Sequence, residues 1–208
     1  MKILRAGFIA AAVLASMSDV RAQGYQDIEQ PSLPAASPGA NDLNAVARLT
    51  SAEVDIDPWS PIAAQAARLL IDKYGAPDEI RPAYLAWHQA GPWARTVVFD
   101  TDGPTGDGRD IPLIEQTLGY PLKPAQVAAL ASFDRRVAYN ERTGELSVRS
   151  ETEELNFLRM NLADDVASGR KSPLGARAEF DRAVSLSASG KRSPAMRGLH
   201  FPFGLPSE

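Results

Sequence analysis

The sequence predicts an α+β domain in which helices pack on one face of an antiparallel sheet of about five strands. Three observations carry this. AYLAWHQAGPWARTVVFD is dense in aromatic and β-branched residues around a Gly91-Pro92 break, and RRVAYNERTGELSVRS alternates apolar and polar residues around Gly144. The segments that flank these hairpins carry helical periodicity with start and stop signals.

Taken in order, WSPIAAQAARLLIDKYGAPDE opens with Ser60 as a cap and Pro61 in the first turn. It repeats Ile62, Ala66, Leu69 and Leu70 at helical spacing and ends at Gly75 and Pro77. The first hairpin pairs a strand over Ala83 to Gln89 with one over Trp93 to Phe99. Period-two alternation places Leu85 and Trp87 opposite Tyr84, Ala86 and His88. In the second strand it groups Trp93, Arg95, Val97 and Phe99 against Thr96 and Val98.

The loop DTDGPTGDGRD, Asp100 to Asp110, leads to a strand in PLIEQTLGYPL that ends before Pro121. Lys123-Pro124 opens a short helix through Val127, Leu130 and Ala131. In the second hairpin, Val137, Tyr139, Leu146 and Val148 alternate about a turn in which Gly144 takes positive φ. Ser150 followed by Glu153 reads as a capping box for a long helix, with Leu155, Leu158, Leu162 and Val166 on one stripe and Gly169 as its stop. Ser172-Pro173 starts a last helix with Ala176, Phe180 and Val184 inward. The tail GLHFPFGLPSE carries Phe201 and Phe203, which predicts that it packs back onto the domain.

The N-terminal stretch MKILRAGFIAAAVLASMSDVRAQG places Lys2 and Arg5 before an apolar run from Ala6 to Ala15 and ends in Val20-Arg21-Ala22. That order of charge, apolar core and small residues is the pattern of a cleaved signal peptide over residues 1–22. The apolar run is well short of the roughly 20 residues that span a bilayer, so no membrane insertion is expected after cleavage. Residues 23–58 are rich in Pro, Ser, Ala and Gly and read as a flexible linker, with a short helix near Asn41 to Leu49. Residues 59–208 then form a single domain with a C-terminal tail. The expected location is periplasmic or secreted.

The chain has 22 basic and 26 acidic residues, a net charge of −4, and becomes more negative once a leader bearing Lys2, Arg5 and Arg21 against Asp19 is removed. An acidic chain without a long basic run gains little from phosphate backbones, which argues against nucleic acid as a partner. The chain contains no cysteine, so disulfides, thiolate metal sites, cysteine nucleophiles and a lipid-modified cysteine are all excluded.

Catalytic motifs are sparse. There are two histidines, His88 and His200, and no G-x-S-x-G elbow. Ser168-Gly169-Arg170-Lys171 fits S-x-x-K, but the partner motifs S-D-N and K-T-G are absent, and a basic helix end explains the match better. In the loop, Asp100, Asp102, Asp107 and Asp110 are hard oxygen ligands, yet Pro104 and Thr105 fall where an EF-hand needs a ligand and a glycine. A solvated connector is the plainer reading, and neither a metal nor a cofactor is expected. On the long helix Glu154, Asn161, Asp164 and Asp165 form an outward acidic face if the leucine stripe faces the core.

That leaves WHQAGPWARTVVF, where Trp87, His88, Trp93 and Arg95 crowd one hairpin. These residue types build hairpins through cross-strand aromatic contact, and they also dominate binding hot spots. The four are therefore the candidate binding residues, although the structural role of the hairpin is the leading reading.

The stretches LLIDKYGAPDEI, LAWHQAGPWARTVV, RTGELSVRSETEELNFLRMNLADDVASGRKS and RGLHFP resemble a family of exported, single-domain bacterial proteins with no assigned activity, over about Ala63 to Pro202. The resemblance implies an exported single domain and transfers no catalytic residue. A narrower likeness, limited to a helix, G-x-P and a Trp-bearing strand pair, is to small periplasmic domains of outer-membrane assembly lipoproteins, from which this chain departs in having no cysteine for a lipid anchor.

The expected function is that of a non-enzymatic envelope module that binds a small molecule or an envelope protein. The alternative is a hydrolase that pairs His88 with a carboxylate of the long helix, Glu154 or Asp165, as acid and base. A purely structural envelope protein is the third reading.

Overall fold

The structure is a computed structural model that describes residues 40–101 and 113–202. The leader, the first part of the linker, the acidic loop from Asp102 to Asp110 and Phe203 lie outside the described residues. The described elements are α1 (Ala40–Ile56), α2 (Pro61–Tyr74), β1 (Glu79–Arg81), β2 (Tyr84–Ala90), β3 (Trp93–Phe99), β4 (Ile114–Gly119), α3 (Pro124–Ala131), β5 (Val137–Asn140), β6 (Glu145–Ser150), α4 (Glu153–Ala167) and α5 (Pro173–Ala188). A short 3-10 turn covers Pro194–Met196. The six strands form one antiparallel sheet in the order β1-β2-β3-β4-β6-β5. The protein has an α+β fold, with one strand more than the alternation pattern reveals, because the three residues of β1 are too few to show a period.

Cross-strand register explains why the helices gather on one side. Leu85 pairs with Val98, Val98 with Ile114, Leu118 with Leu146, and Val148 with Val137, so these side chains project from the same face. Two apolar clusters cover that face. One joins α1 and α2 to Leu85, Trp87, Val98 and Ile114. The other joins α4 and α5 to Leu118, Leu146 and Val148. Between them runs a buried polar line, Thr96 and Gln116, which apolar packing alone would not tolerate.

Local chemistry sets the helix ends. Ser60 Oγ accepts from Ala63 N at 3.4 Å, Pro61 fills the first turn of α2, and Gly75 takes φ 77° beyond its end. The inward face of α2 is Ala63, Ala64, Ala66, Ala67, Leu70 and Ile71, whereas Ile62 and Leu69 stay exposed. Of the expected stripe Ala66 and Leu70 are buried and Ile62 and Leu69 are not, because the buried face is centred on alanines. Similarly, Ala176 and Ala183 are the buried residues of α5 and Val184 is exposed.

Four expectations need correction. The helix expected near Asn41 to Leu49 runs to Ile56, and Leu49, Ala52 and Ile56, at i, i+3 and i+7, pack with α2. This part of the composition-defined linker is thus folded onto the domain. The cap of α4 is Thr152, whose hydroxyl accepts from Leu155 N at 3.3 Å, and Ser150 instead ends β6 with its hydroxyl bound by Arg159. Trp93 does not share a face with Arg95. Gln89, at φ 52°, breaks the alternation at the hairpin end, so Ala90 and Trp93 both turn into the apolar clusters while Arg95 stays exposed. Finally, α4 presents no outward acidic face. Asn161 and Asp164 are buried along with the leucine stripe, because the tail and α5 cover the side that the pattern leaves to solvent.

The tail returns as expected. Phe201 meets Tyr120 edge-on, with ring centroids 5.6 Å apart. Asn161 staples it, donating to the carbonyls of Ala195 and Gly198 at 3.0 and 2.8 Å and accepting from His200 N at 2.8 Å.

Candidate functional site

The four hairpin candidates separate into two pairs. Trp87 is 2% exposed and donates from Nε1 to Gly75 O at 2.9 Å, which ties β2 to the end of α2. Trp93 is 1% exposed and stacks on Phe157 of α4, centroid to centroid 5.1 Å. Neither indole can meet a partner, and no cross-strand contact joins them, since Trp87 pairs with Thr96 and Trp93 with Ala90.

His88 and Arg95 are cross-strand partners and both are exposed on the sheet face away from α4. His88 Nε2 lies 2.8 Å from Glu79 Oε1, while His88 N donates to Asp78 Oδ2 at 2.7 Å. The hydrogen bond from His88, aided by one from Tyr84 and by the charge of Arg95, holds the Glu79 carboxyl below its ordinary range. The arrangement is a preassembled polar cluster on β1, β2 and β3.

The pairing of His88 with Glu154 or Asp165 is not formed. His88 follows the inward Trp87 by one residue, so the sheet stands between its imidazole and α4. Glu154 lies 3.6 Å from Arg192, and Asp165 binds Arg170 and Lys171, each at 2.7 Å. The S-x-x-K match is equally unproductive. Ser168 Oγ donates back to Asp164 O at 2.7 Å, as a helix-ending serine does, while Lys171 is held by Asp165 and by Glu179 at 3.1 Å.

The sequence pattern missed Glu153, the most heavily bonded carboxylate among the described residues. It sits where α2, β3, β4 and α4 meet and is only 9% exposed. Its Oε1 accepts from Trp93 Nε1 at 2.9 Å, from Gln116 Nε2 at 3.0 Å and from the Tyr74 hydroxyl; Oε2 accepts from Lys73. Gln116 in turn donates to Thr96 Oγ1 at 3.3 Å and accepts from Asn156 Nδ2 at 3.0 Å. Burial raises the carboxyl pKa, but the bonds from Lys73, Tyr74, Trp93 and Gln116 outweigh it, so Glu153 remains ionised below the usual range. Burial together with the Glu153 charge raises the Tyr74 hydroxyl far above ordinary tyrosine. A carboxylate saturated by four donors is built to hold elements together rather than to exchange protons. Only a capping-box reading drew attention to residue 153, and the donors come from positions 37 to 80 residues away, beyond any local pattern.

A concavity of about 460 Å³ opens at the C-terminal end of α4 between Tyr120, Asp164, Arg170, Lys171 and His200. Tyr120 and Arg170 both donate to Asp164. Burial and that hydrogen bond raise the Tyr120 hydroxyl, while the bonds from Lys171 and Arg170 more than offset the burial of Asp165 and keep it low. His200 faces the Pro194 carbonyl, 3.2 Å from Nε2. The charges here close the α4-to-α5 turn and anchor the tail. Among the described residues no group of three or more His, Cys, Asp or Glu is placed to hold a metal ion, and no helix is long and apolar enough to cross a membrane.

The fold and these sites together define an α+β domain whose buried carboxylates Glu153 and Asp164 are committed to structure and whose exposed polar cluster lies on the face opposite the helices. No family model, curated protein or solved structure compared with the chain matches it, so no residue role is carried over from a relative.

Proposed function

We propose that this chain is an exported envelope module that acts by binding, with His88 and Arg95, supported by Glu79, as the contact residues of the hairpin. The observation that carries the reading is the division of the hairpin. Its indoles are locked in the core, while its two ionisable candidates sit side by side and exposed. The leader-like N-terminus supports an exported location. The partner is a small molecule or a protein of the envelope; an acidic surface of this kind does not favour nucleic acid.

Two measurements test this. Fractionation of cells that express the chain with its leader is expected to find the shortened protein outside the cytoplasm, and an uncut cytoplasmic protein would contradict it. The double variant His88→Ala, Arg95→Ala is expected to keep its unfolding free energy within about 0.5 kcal/mol, because both side chains are surface groups. It is also expected to lose the crosslinks to envelope components that a photoreactive residue at position 81, on the same face, forms in the parent. An unchanged crosslink pattern would remove the hairpin as the contact site.

A further inference from the structure

A second cavity, of about 440 Å³, lies between the α3–β5 connection, α4 and α5 and is lined by Arg135, Arg136, Arg159 and Arg177 against two carboxylates, Asp134 and Asp181. In a chain of net charge −4 this concentration of guanidinium groups is unexpected on composition alone. We propose that it is a binding site for a small anion that carries a carboxylate or phosphoryl group.

The floor of the site is Arg159, an arginine in the middle of α4 that is 3% exposed. Its Nε donates to Asp134 Oδ2 at 2.8 Å, its Nη1 donates to Arg149 O at 3.0 Å and to the Ser150 hydroxyl, and its guanidinium lies 4.4 Å from the Phe180 ring centroid. These contacts fix the plane of the fork. Its Nη2 takes no hydrogen-bond partner among the described residues, and Arg159 lines the cavity. A buried cation with one donor left open, and with its other donors spent on holding it still, is preorganised to take an anion.

The rim completes the site. Asp134 is consumed within the wall, since it binds Arg159 through one oxygen and accepts Arg136 N through the other at 2.8 Å. Arg136 is held by Glu151 at 2.7 Å. Arg135 and Arg177 are exposed and make no ion pair among the described residues, so two unpaired cations share the cavity with one fixed donor. By contrast, the cations of the larger cavity, Arg170 and Lys171, are already neutralised by Asp164, Asp165 and Glu179. Planar guanidinium forks suit two-oxygen anions, and the closed floor favours a small ligand over a polymer surface.

The site is independent of the hairpin and of export. The test is calorimetric titration of the purified protein at low ionic strength with inorganic phosphate and, separately, with malonate. Saturable binding of at least one anion is expected, weakened about tenfold or more by Arg177→Ala and by Arg135→Ala, with unfolding midpoints unchanged because both residues are exposed. Arg192→Ala, an exposed arginine outside the cavity, serves as control and is expected to bind as the parent does. Binding of phosphate alone assigns a phosphoryl ligand, and binding of malonate alone a carboxylate. No saturable heat with either anion, or an equal loss in the Arg192 control, overturns the proposal.

Discussion

Replacing Glu153 by alanine is expected to destabilise the protein by about 3–5 kcal/mol, the largest effect of any charge removal in this fold. The reason is the number of donors that lose their acceptor at once. Trp93 Nε1 and Tyr74 Oη have no other acceptor among the described residues, Gln116 Nε2 keeps only its longer bond to Thr96 Oγ1, and Lys73 is half-exposed and can hydrate. Glu153→Gln keeps the shape and one acceptor oxygen and should cost roughly half as much. The sign of the pH dependence follows from the lowered carboxyl pKa. A carboxylate held low in the folded state contributes stability that is fully present above its unfolded value, near 4.3, and is lost as pH falls through the folded value. Denaturant unfolding of the parent between about pH 6 and pH 3 should therefore show an acid loss that Glu153→Gln reduces. Glu79 and Asp165 are also held low and add to the slope in both proteins, so the difference between parent and variant is the quantity to read.

Trp93→Ala is expected to cost a similar amount, about 3–5 kcal/mol, through a different mechanism. It opens a cavity beside Phe157 and removes a donor from Glu153. Trp93→Phe separates the two contributions. It keeps an aromatic ring against Phe157 while losing the N–H and a few ring atoms, and is expected to cost clearly less than the alanine variant, about 2–3 kcal/mol. Because Trp93 and Glu153 share a hydrogen bond, the double variant Trp93→Ala, Glu153→Ala should be less destabilised than the two single effects combined. Full additivity would mean that the indole and the carboxylate act separately, contrary to the seam described above.

The sequence made some of this legible. Gly91-Pro92 and Gly144 marked both hairpins, Ser60-Pro61 and Lys123-Pro124 marked helix starts, and the aromatic residue Phe201 announced the returning tail. Each of these is a local signal, fixed by backbone preference within a few residues. What was not legible depends on partners far away. Asp164 reads as a surface acid until Tyr120, 44 residues earlier, donates to it, and Asn161 reads likewise until the tail arrives 34 to 39 residues later. Trp93 was assigned to the wrong face because one residue, Gln89, leaves the extended region, and non-glycine residues at positive φ leave no clear trace in composition. Of the candidate site, His88 and Arg95 lie at the surface, although alternation groups Arg95 with the buried Trp93, and the two tryptophans serve the architecture that their density also suggested.

The arginine cavity escaped notice for the same reason. Arg135 and Arg136 stand beside each other in sequence, but Arg159 and Arg177 join them only when α4 and α5 close over the α3–β5 connection. An arginine in the interior of a leucine-striped helix was the available hint, because a charge at such a position needs dedicated partners.

The claim on which the rest depends is that the indoles of this chain are interior scaffold, while contact chemistry belongs to exposed charge. Its chain contains three tryptophans, Trp59, Trp87 and Trp93, all buried. Acrylamide quenching of the intrinsic fluorescence measures that directly: weak quenching of a blue-shifted emission, unchanged when an anion or an envelope partner is added, is the expected result. Quenching close to that of free indole in the folded protein, or protection that appears only on binding, would place a tryptophan at the contact surface and contradict the account.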